Sequence, residues 1–312
     1  MSELKHVPVL LKECIEGLCI KPDGTYFDGT LGGGGHSYEI LRKSSPGGKL
    51  IATDLDEYAI GRASERLKEF EGRFVLVKDN FKNFKKIKED LNIGGFDGIL
   101  LDLGVSSFQL DDKSRGFSYM AEDETLDMRM NRENPLTAEK VVNEYTEKQL
   151  INILSEYGEE RFAVKIVKNI VERRKIKRIT TVGELNKIIT DSIPKKFQQS
   201  GHPSKKTYQA LRIEVNGELD GLYEVIFDMV RGLKSKGRIA IITFHSLEDR
   251  IVKRAFKELE TDCICDKSLP VCVCGKKKEI NIITKHPIVA DENELEHNGR
   301  AKSAKLRIAE KI

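Results

Sequence analysis

Short apolar runs alternate with amphipathic stretches along the first third of the chain. Runs of β-branched or aliphatic residues, bounded by Gly or Asp, predict strands at 25–30, 49–54, 73–79 and 96–104. Between these runs, apolar residues recur at the three-to-four-residue spacing of helices. An order of strand, helix and strand predicts βαβ units, and we therefore expect a parallel sheet with helices packed on it.

The alternation stops in the middle of the chain and resumes near its end. Between about residues 109 and 207, polar turns and helical stretches replace the strand pattern. Further strand-like runs follow at 238–244, 279–284 and 304–310. The pattern predicts an α/β fold in which an all-helical domain is inserted into one sheet domain.

Approximate domain boundaries follow from these positions. We expect residues 1–108 and 213–312 to form the mostly parallel sheet domain, and residues 109–212 to form the inserted helical domain. A chain of 312 residues, 39% of them hydrophobic, is long enough to bury a sizeable core in one large domain or in two.

Composition excludes two classes of protein. The chain has no apolar run long enough to cross a bilayer, and its first residues lack the apolar core and cleavage site of a signal peptide. We therefore expect a cytoplasmic protein without a membrane partner. The six cysteines do not suggest a secreted disulfide scaffold, which agrees with a reducing compartment. The sequence leaves the oligomeric state open, a homodimer included.

The charge of the chain is concentrated in the predicted insertion. Between residues 161 and 212, fourteen Lys or Arg stand against three acids, so this block carries +11 in a chain of net charge +3. A block of this density favours a polyanionic partner over a merely solvated helix face. The candidate phosphate-binding residues are Arg173, Arg174, Lys195, Lys196, Lys205 and Lys206.

The stretch YFDGTLGGGGHSYEIL, residues 26–41, places four consecutive glycines between a strand and a helix. Such a turn lets the backbone approach a nucleotide closely, and an ordinary tight turn is the alternative. Asp28 before the loop would attract a cationic amino-acid group and repel a pyrophosphate. Asp54, at the end of the next strand, is placed to bind ribose hydroxyls. Together they favour S-adenosylmethionine over a nicotinamide dinucleotide.

The fourth strand ends in ILLDLGVSSFQLDD, which brings Asp102 to the same edge of the sheet as the glycine loop. Methyl transfer to an exocyclic amine requires in-line positioning and acceptors for the amine hydrogens. Asp102, Ser106 and Ser107 have side chains of this kind. We take Asp102 and Ser106 as candidate catalytic residues, and a solvated aspartate at a strand end is the alternative for Asp102.

A second group of polar residues follows the strand in ITFHSLEDRIVKRAF, residues 242–256. Ser246 is the expected helix cap, with Asp249 at a spacing similar to that of a capping box. His245 is a candidate catalytic residue in the crevice, and a purely space-filling role is the alternative.

Four cysteines cluster late in the chain, in CICDKSLPVCVCGKKK. They form two CxC pairs, one on each side of a turn with a proline, at positions 263, 265, 272 and 274. Structural zinc sites more often use CxxC, although two facing CxC strands can bring four sulfurs together. We predict a cysteine-rich hairpin without metal, with a metal site as the alternative.

Eight blocks of the sequence resemble those of one family. They are HVPVLLKE, DGTLGGGGHS, GILLDLGVSSFQLDD, RGFS, LDMRM, YGEERFA, TYQALRIEVNGEL and FHSLEDRIVKR, in this order from His6 onward. With the terminal GRAKSAKLRIAE they cover nearly the whole chain, and they resemble the bacterial small-subunit ribosomal RNA cytosine-N4 methyltransferase family. The resemblance implies a class I, Rossmann-like methyltransferase fold that uses S-adenosylmethionine. It also implies methylation of a cytosine in the decoding region of that RNA, either naked or in an assembling small subunit.

The resemblance also implies which residues contact the cofactor. Carried over by motif, these are Gly34, Gly35, His36, Asp54, Phe81, Asp102 and Gln109. Phe81 would lie on the adenine face, with ordinary core packing as its alternative, and Gln109 would reach polar atoms of the cofactor. Two other functions stay open: a nicotinamide-dependent oxidoreductase, and a non-catalytic RNA-binding assembly factor that keeps the cofactor pocket.

Overall fold

The protein is described by a computed structural model that covers residues 8–105, 112–198, 201–266 and 271–312. The chain divides into two compact units. The sheet unit consists of Met1–Gly104 and Leu219–Ile312, and the helical unit consists of Val105–Glu218.

Seven strands form one sheet within the described residues. They are β1 Thr25–Asp28, β2 Lys49–Asp54, β3 Phe74–Lys78, β4 Phe96–Asp102, β5 Leu233–Thr243, β6 Ile280–Ile282 and β7 Lys305–Lys311. Their order is β3-β2-β1-β4-β5-β7-β6, and all pairs are parallel up to β5, whereas β7 runs antiparallel to both of its neighbours. The mostly parallel sheet predicted from the sequence is confirmed.

The strands lie within a few residues of their predicted positions, with one difference at β5. This strand begins at Leu233, five residues before the predicted start, because Leu233 pairs with Phe96 ahead of an irregularity in the ladder. The intervening Lys-Ser-Lys-Gly sequence is polar and exposed at its first three positions, so it carries no strand pattern.

Helices cover both faces of the sheet. Seven α-helices belong to this unit among the described residues: α1 Leu11–Gly17, α2 Gly35–Lys43, α3 Glu57–Leu67, α4 Phe84–Asp90, α10 Leu222–Gly232, α11 Ser246–Glu260 and a short α12 Glu292–His297. Alternate strand residues enter opposite cores: Ile239 and Ile241 pack with α4, α10 and α11, whereas Ala240 and Ile242 pack with α1, α2 and α3. The result is a three-layer α/β/α arrangement.

The strand order reverses between β1 and β4. After β1 the chain builds outward through β2 and β3, and it then returns to place β4 on the other side of β1. In open parallel sheets, ligands bind outside the carboxyl ends of the strands at such a reversal. Asp28 ends β1 and Asp102 ends β4 at this position.

The helical unit has a core of its own. Its helices are α5 Ala138–Glu144, α6 Glu147–Glu156, α7 Ala163–Ile176, α8 Val182–Ser192 and α9 Lys205–Asn216. Thr146 and Thr181 form capping boxes at the starts of α6 and α8, each with the residue three positions later. Apolar residues on one side of each helix, among them Ile166 and Leu185, pack into one buried cluster. Helix α9 runs past position 212, where the sequence pattern placed the boundary, and this unit ends at Glu218.

No helix in the described parts of the chain combines the length and apolar character required of a membrane span.

Candidate functional site

The glycine loop follows β1 and is held against β2. The Gly32 N–H donates to Asp54 Oδ2 at 2.8 Å, and the Leu31 N–H donates to the Thr53 carbonyl at 3.0 Å. Asp54 Oδ1 accepts from the Asp56 N–H at 2.9 Å. Burial raises the pKa of Asp54. Because a carboxylate oxygen accepts two hydrogen bonds, both oxygens of Asp54 can accept a further donor while holding the loop.

The glycines of the loop differ in why a side chain would or would not fit at their positions. Gly34, the N-cap of α2, has φ +72°, and a Cβ there would lie 3.1 Å from the Cβ of Ala63 on α3. A Cβ on Gly35 would lie 2.2 Å from Cγ of Pro8. At Gly32 the nearest atom to an added Cβ is a carbonyl oxygen 3.9 Å away. Packing within the protein therefore restricts a side chain at Gly34 and excludes one at Gly35, whereas Gly32 faces open space, as a ligand approach requires.

Asp28 is a buried acid beneath this loop. The Ser37 hydroxyl donates to Oδ2 at 2.7 Å, and the Thr30 N–H donates to Oδ1 at 3.1 Å. Burial raises the pKa of Asp28 to about 6 despite these hydrogen bonds, which favour the charged form. The loop thus covers a carboxyl group that is mostly ionised at neutral pH.

Asp102 lies beside Asp28 at the end of β4. Its N–H donates to the Thr30 hydroxyl at 2.6 Å, which connects the two strand ends. Its side chain is 25% exposed, but Oδ1 is buried and receives no hydrogen bond from the described residues. Burial, followed by the charges of Asp28 and Glu248, raises the pKa of Asp102 to about 8. A buried acceptor without a donor is a position where a ligand donor would fit.

His36, predicted to contact the cofactor, lies next to Asp102. Its Nε2 donates to the Val9 carbonyl at 3.0 Å, and its Nδ1 is 3.9 Å from Asp102 Oδ2. The ring is buried, with 6% of its surface exposed, so it connects the segment before α1 to the acidic site. A direct contact of His36 with the cofactor stays a prediction.

His245 follows β5 and is the N-cap of α11. Its Nδ1 accepts from the Glu248 N–H at 3.4 Å, and Glu248 Oε2 accepts from the Phe244 N–H at 2.8 Å. The prediction of Ser246 as the cap with Asp249 was wrong by one position. An imidazole nitrogen can accept the same hydrogen bond as a hydroxyl, and Asp249 instead forms an ion pair with Arg307 at 2.6 Å.

The second ring nitrogen of His245 bears on its candidate catalytic role. Its Nε2 is buried and forms no hydrogen bond with the described residues, although it lies 3.1 Å from Glu248 Oε1. His245 is three residues beyond Ile242, which pairs with Asp102 across the two strands. The histidine therefore stands at the same edge of the sheet as the acidic pair.

Phe81 begins a 3₁₀ turn, Phe81–Asn83, after β3. Asn80 caps this turn by accepting the Lys82 N–H at 3.0 Å. The Phe81 side chain is half-buried and packs on the core, and a Cβ on Gly29 would lie 2.9 Å from its Cβ. Phe81 thus stands next to the start of the glycine loop, where contact with an adenine stays a prediction.

Ser106, Ser107 and Gln109, which were predicted to contribute to the site, lie outside the described residues.

The polar partners of the two aspartates were not predicted from the sequence. Thr30 and Ser37 flank the glycines at positions two and nine residues after Asp28. The i to i+2 spacing of Asp28 and Thr30 is the signal of a local aspartate turn, and it was available in the sequence. Glu248 could also have been predicted as a partner of His245, because it lies at the capping-box spacing of three residues, if histidine is accepted as an N-cap residue.

The candidate RNA-binding residues of the helical unit fall into two groups. On α7, the Arg174 guanidinium donates to the Val142 carbonyl at 2.8 Å, and Arg173 is half-buried. Nearby cations are matched by acids: Lys175 pairs with Glu172 at 2.8 Å. Much of this cluster's charge is therefore already compensated within the protein.

The second group surrounds an aromatic residue. Lys195 and Lys196 open a 3₁₀ turn, Lys195–Phe197, and both are exposed. Lys196 Nζ lies 5.0 Å from the Phe197 ring centroid, and the Arg161 guanidinium lies 5.1 Å from it. Phe197 itself is 39% exposed. An exposed ring among cations offers both stacking and charge to a nucleic acid.

Lys205 and Lys206 lie in the first turn of α9 and are exposed, and Lys206 Nζ donates to the Glu159 carbonyl at 2.8 Å. Residues 194–206 have the Gly, Pro and Ser content that is typical of a loop. In the structure this segment contains a 3₁₀ turn and the start of a helix, with Gln198 Nε2 donating to the Ile193 carbonyl at 2.7 Å.

A further basic surface lies in the sheet unit and was not singled out from the sequence. A groove along α11 is lined by Arg250, Lys253, Arg254, Lys257, Glu258 and Thr261. Its cations recur at spacings of three and four residues, which place them on one face of the helix. The Arg254 guanidinium also lies 5.1 Å from the ring centroid of Tyr223. The signal was present in RIVKRAFK.

A parallel sheet with this reversal, a glycine loop after β1 and an acid at the end of β2 define a class I, S-adenosylmethionine-dependent methyltransferase. The comparison with known sequences agrees: residues 3–312 match the model of the MraW methylase family, and the chain belongs to that family. The family resemblance and the cofactor predicted from the sequence are thereby confirmed.

Curated relatives match over their full length. A protein of Clostridium botulinum (strain Kyoto / Type A2) is 57% identical over 310 residues, which cover 99% of this chain and 100% of that protein. A protein of Agathobacter rectalis is 55% identical, covering 99% of both chains, and one of Lachnospira eligens is 54% identical, covering 100% of this chain and 99% of that protein. These relatives are named ribosomal RNA small subunit methyltransferase H, with the addition 2 for the second.

Proposed function

We propose that this methyltransferase modifies the exocyclic N4 amine of a cytosine in the decoding region of small-subunit ribosomal RNA, in the cytoplasm. The proposed reaction rests on one observation: the buried Oδ1 of Asp102 accepts no hydrogen bond from the described residues. The substrate class is supported by full-length similarity to relatives named for methylation of small-subunit ribosomal RNA.

The donor set of the sheet unit fits S-adenosylmethionine. Asp54 can accept the ribose hydroxyls through the lone pairs that the loop leaves available. Gly32 leaves space for a ligand next to the loop. Asp28, which is mostly ionised at neutral pH, attracts the positive charge of the amino-acid part, and Asp102 adds to this attraction as it ionises at higher pH. The other proposed contacts are Gly34, Gly35, His36, Phe81 and Gln109. When bound, the cofactor supplies an electrophilic methyl group.

Asp102 is proposed to bind the amine that is methylated. An amine N–H that donates to a carboxylate leaves more electron density on its nitrogen, which favours attack on an electrophilic carbon. The raised pKa of Asp102, about 8, means that the ionised acceptor increases as the pH rises above neutrality. Ser106 and His245 are proposed to complete the polar lining around the base.

The RNA is proposed to bind across basic surfaces. In the helical unit these are the exposed lysines 195, 196, 205 and 206, with Arg173 and Arg174 contributing less because their neighbours are matched by acids. Phosphate contacts of this kind supply affinity and orientation without base specificity.

Methyl transfer from isotopically labelled S-adenosylmethionine to purified small subunits and to naked small-subunit RNA tests the proposal. Nucleoside mass spectrometry of the product should show labelled N4-methylcytidine, and digestion mapping should place it in the decoding region. Asp102→Asn serves as the matched low-activity control.

Two results would contradict the proposal in different ways. A label on a carbon or ribose oxygen would reject the amine as acceptor while leaving the methyltransferase class in place. Binding of cofactor and RNA without any transferred label, on both substrates, would instead favour an assembly factor that keeps the cofactor pocket.

A further inference from the structure

The four late cysteines converge in the structure. All four Sγ atoms of Cys263, Cys265, Cys272 and Cys274 lie within 4.8 Å of one another. Individual separations are 3.5 Å between Cys263 and Cys272, 3.5 Å between Cys272 and Cys274, and 3.9 Å between Cys265 and Cys272. None of the described cysteines forms a disulfide. The two CxC pairs, which the sequence favoured as a metal-free hairpin, therefore face each other through their sulfurs.

These separations are those of a tetrahedral tetrathiolate site. With zinc–sulfur bonds of about 2.3 Å, tetrahedral geometry places the sulfurs about 3.8 Å apart. A disulfide would be much shorter, at about 2.05 Å, and the convergence of four sulfurs from two CxC pairs on one point is the arrangement that a tetrahedral ion requires. We propose that these four cysteines bind one zinc ion. This zinc site is separate from the residues proposed for methyl transfer.

Backbone donors support the same sulfurs. The Val273 N–H lies 3.3 Å from Cys265 Sγ, the Cys265 N–H lies 3.4 Å from Cys263 Sγ, and the Ile264 N–H lies 3.5 Å from Cys274 Sγ. Hydrogen bonds from the backbone orient thiolate ligands and stabilise their negative charge around a metal. The sulfur cluster thus has both its ligands and the surrounding donors.

The described part of this segment has no hydrophobic core. Among the described residues from 261 to 279, none is buried. Its large apolar residues are exposed: Ile264 by 69%, Val271 by 70% and Val273 by 77%. A short excursion without a hydrophobic core is held together by metal or disulfide cross-links in other small structures. A zinc ion would fix the connection between α11 and β6.

Metal analysis of the full chain, purified without chelator, tests this proposal. We expect about one zinc per chain by inductively coupled plasma mass spectrometry. Cys263→Ser and Cys272→Ser should each lose it, whereas Cys19→Ser, a change at an exposed cysteine outside the cluster, should retain it.

Cobalt substitution keeps the test informative if a serine variant folds poorly. The metal-free parent protein, titrated with Co²⁺, should develop the thiolate charge-transfer and visible bands of a tetrahedral site with an endpoint at one equivalent. Chelation should also make the segment from 261 to 279 cleavable by protease, with the remainder of the chain resistant.

Two findings would overturn the zinc assignment. One is a native chain without metal whose cluster thiols all react with an alkylating reagent and whose spectrum does not change with Co²⁺. The other is a disulfide between cluster cysteines, detected by mass spectrometry of protein purified under reducing conditions.

Discussion

Asp28 and Asp102 give the candidate site its electrostatic character. They end neighbouring strands, and each has a pKa raised first of all by burial, to about 6 and about 8. In the unfolded chain both would titrate near 3.8. The folded protein thus binds more protons than the unfolded chain between these values, so this pair makes stability fall as the pH rises.

Asp102→Asn should therefore flatten the pH dependence of stability. In the parent protein, the free energy of unfolding should decrease between pH 5 and pH 8.5 as the two carboxyls ionise, and the variant should lose less over that range. Urea denaturation at several pH values measures this. A steeper decrease in the variant would show that Asp102 is stabilised, not destabilised, as an anion.

The same substitution should affect catalysis with the opposite pH trend. Because the proposed acceptor is the ionised carboxylate, kcat/KM of the parent should rise through about pH 8. Asp102→Asn should lower kcat by about 100-fold and remove that rise, with RNA affinity nearly unchanged. Equal losses in kcat and in substrate affinity would point to ground-state binding alone.

Asp54→Ala should weaken S-adenosylmethionine binding by about 10- to 100-fold, since the variant lacks a charge-assisted acceptor. Asp23→Ala is a matched control, because Asp23 Oδ1 also accepts a backbone N–H, that of Gly47 at 2.7 Å, outside the proposed site. Isothermal calorimetry on both variants separates the effects. A similar loss of cofactor affinity in both would indicate general destabilisation of the sheet unit.

The glycine loop shows how a sequence motif can be recognised correctly and explained incompletely. Four glycines predicted a backbone that approaches a ligand, but Gly34 and Gly35 are required by Ala63 and Pro8. That distinction depends on residues distant in sequence, and no local pattern reveals it. A bulky residue at Gly34 would disturb the packing of α2 on α3 and not the cofactor alone.

Gly34→Ala should destabilise the protein by about 1–2 kcal/mol, because an alanine resists the left-handed conformation with φ +72°. Gly61→Ala is the internal comparison: it lies within α3 with nothing within 4 Å of an added Cβ, and should stabilise by up to about 1 kcal/mol. Thermal denaturation compares the two. Equal stability of the parent and the Gly34 variant would contradict the argument from backbone strain at Gly34.

The N-terminal caps of the helices show which local structures can be predicted from the sequence and which cannot. Thr146 and Thr181 follow the usual capping pattern, whereas His245 caps α11 with a ring nitrogen. The family blocks and strand alternation were sufficient for the fold class and for the cofactor. They were insufficient for the hydrogen bond from the Asp102 N–H to the Thr30 hydroxyl, because it depends on how the ends of β1 and β4 meet in three dimensions.

The helical unit carries a large positive charge, but its cations differ in what surrounds them. Those from Arg174 to Arg178, at the end of α7 and just after it, are matched by acids or carbonyls, as in the pair Lys177 and Glu184 at 2.7 Å. Lys195 and Lys196 lie beside an exposed aromatic ring. Charge counting along the sequence treats both groups alike, and only the structure distinguishes them.

Neutralising Lys195, Lys196 and Lys205 should therefore weaken RNA binding more than neutralising Arg173, Arg174 and Lys175. For every phosphate that a variant no longer binds, the slope of log affinity against log salt should decrease by about 0.7 to 0.9. Filter binding at several salt concentrations measures both sets, with cofactor affinity as the control. If neither set changes the slope, the basic groove along α11 becomes the surface to test.

The final strand of the sheet bears on how the protein is synthesised. β7 covers one edge of β5, from Arg238 opposite Glu310 to Thr243 opposite Lys305, although 62 positions separate the last pair in sequence. A nascent chain whose translation terminates before Lys305 would have an apolar β5 with one bare edge. An unpaired strand edge exposes backbone N–H and C=O groups, which can pair with strands of other molecules. Premature termination anywhere in the preceding segment should consequently give insoluble or degraded chains, and not a shortened enzyme with partial activity.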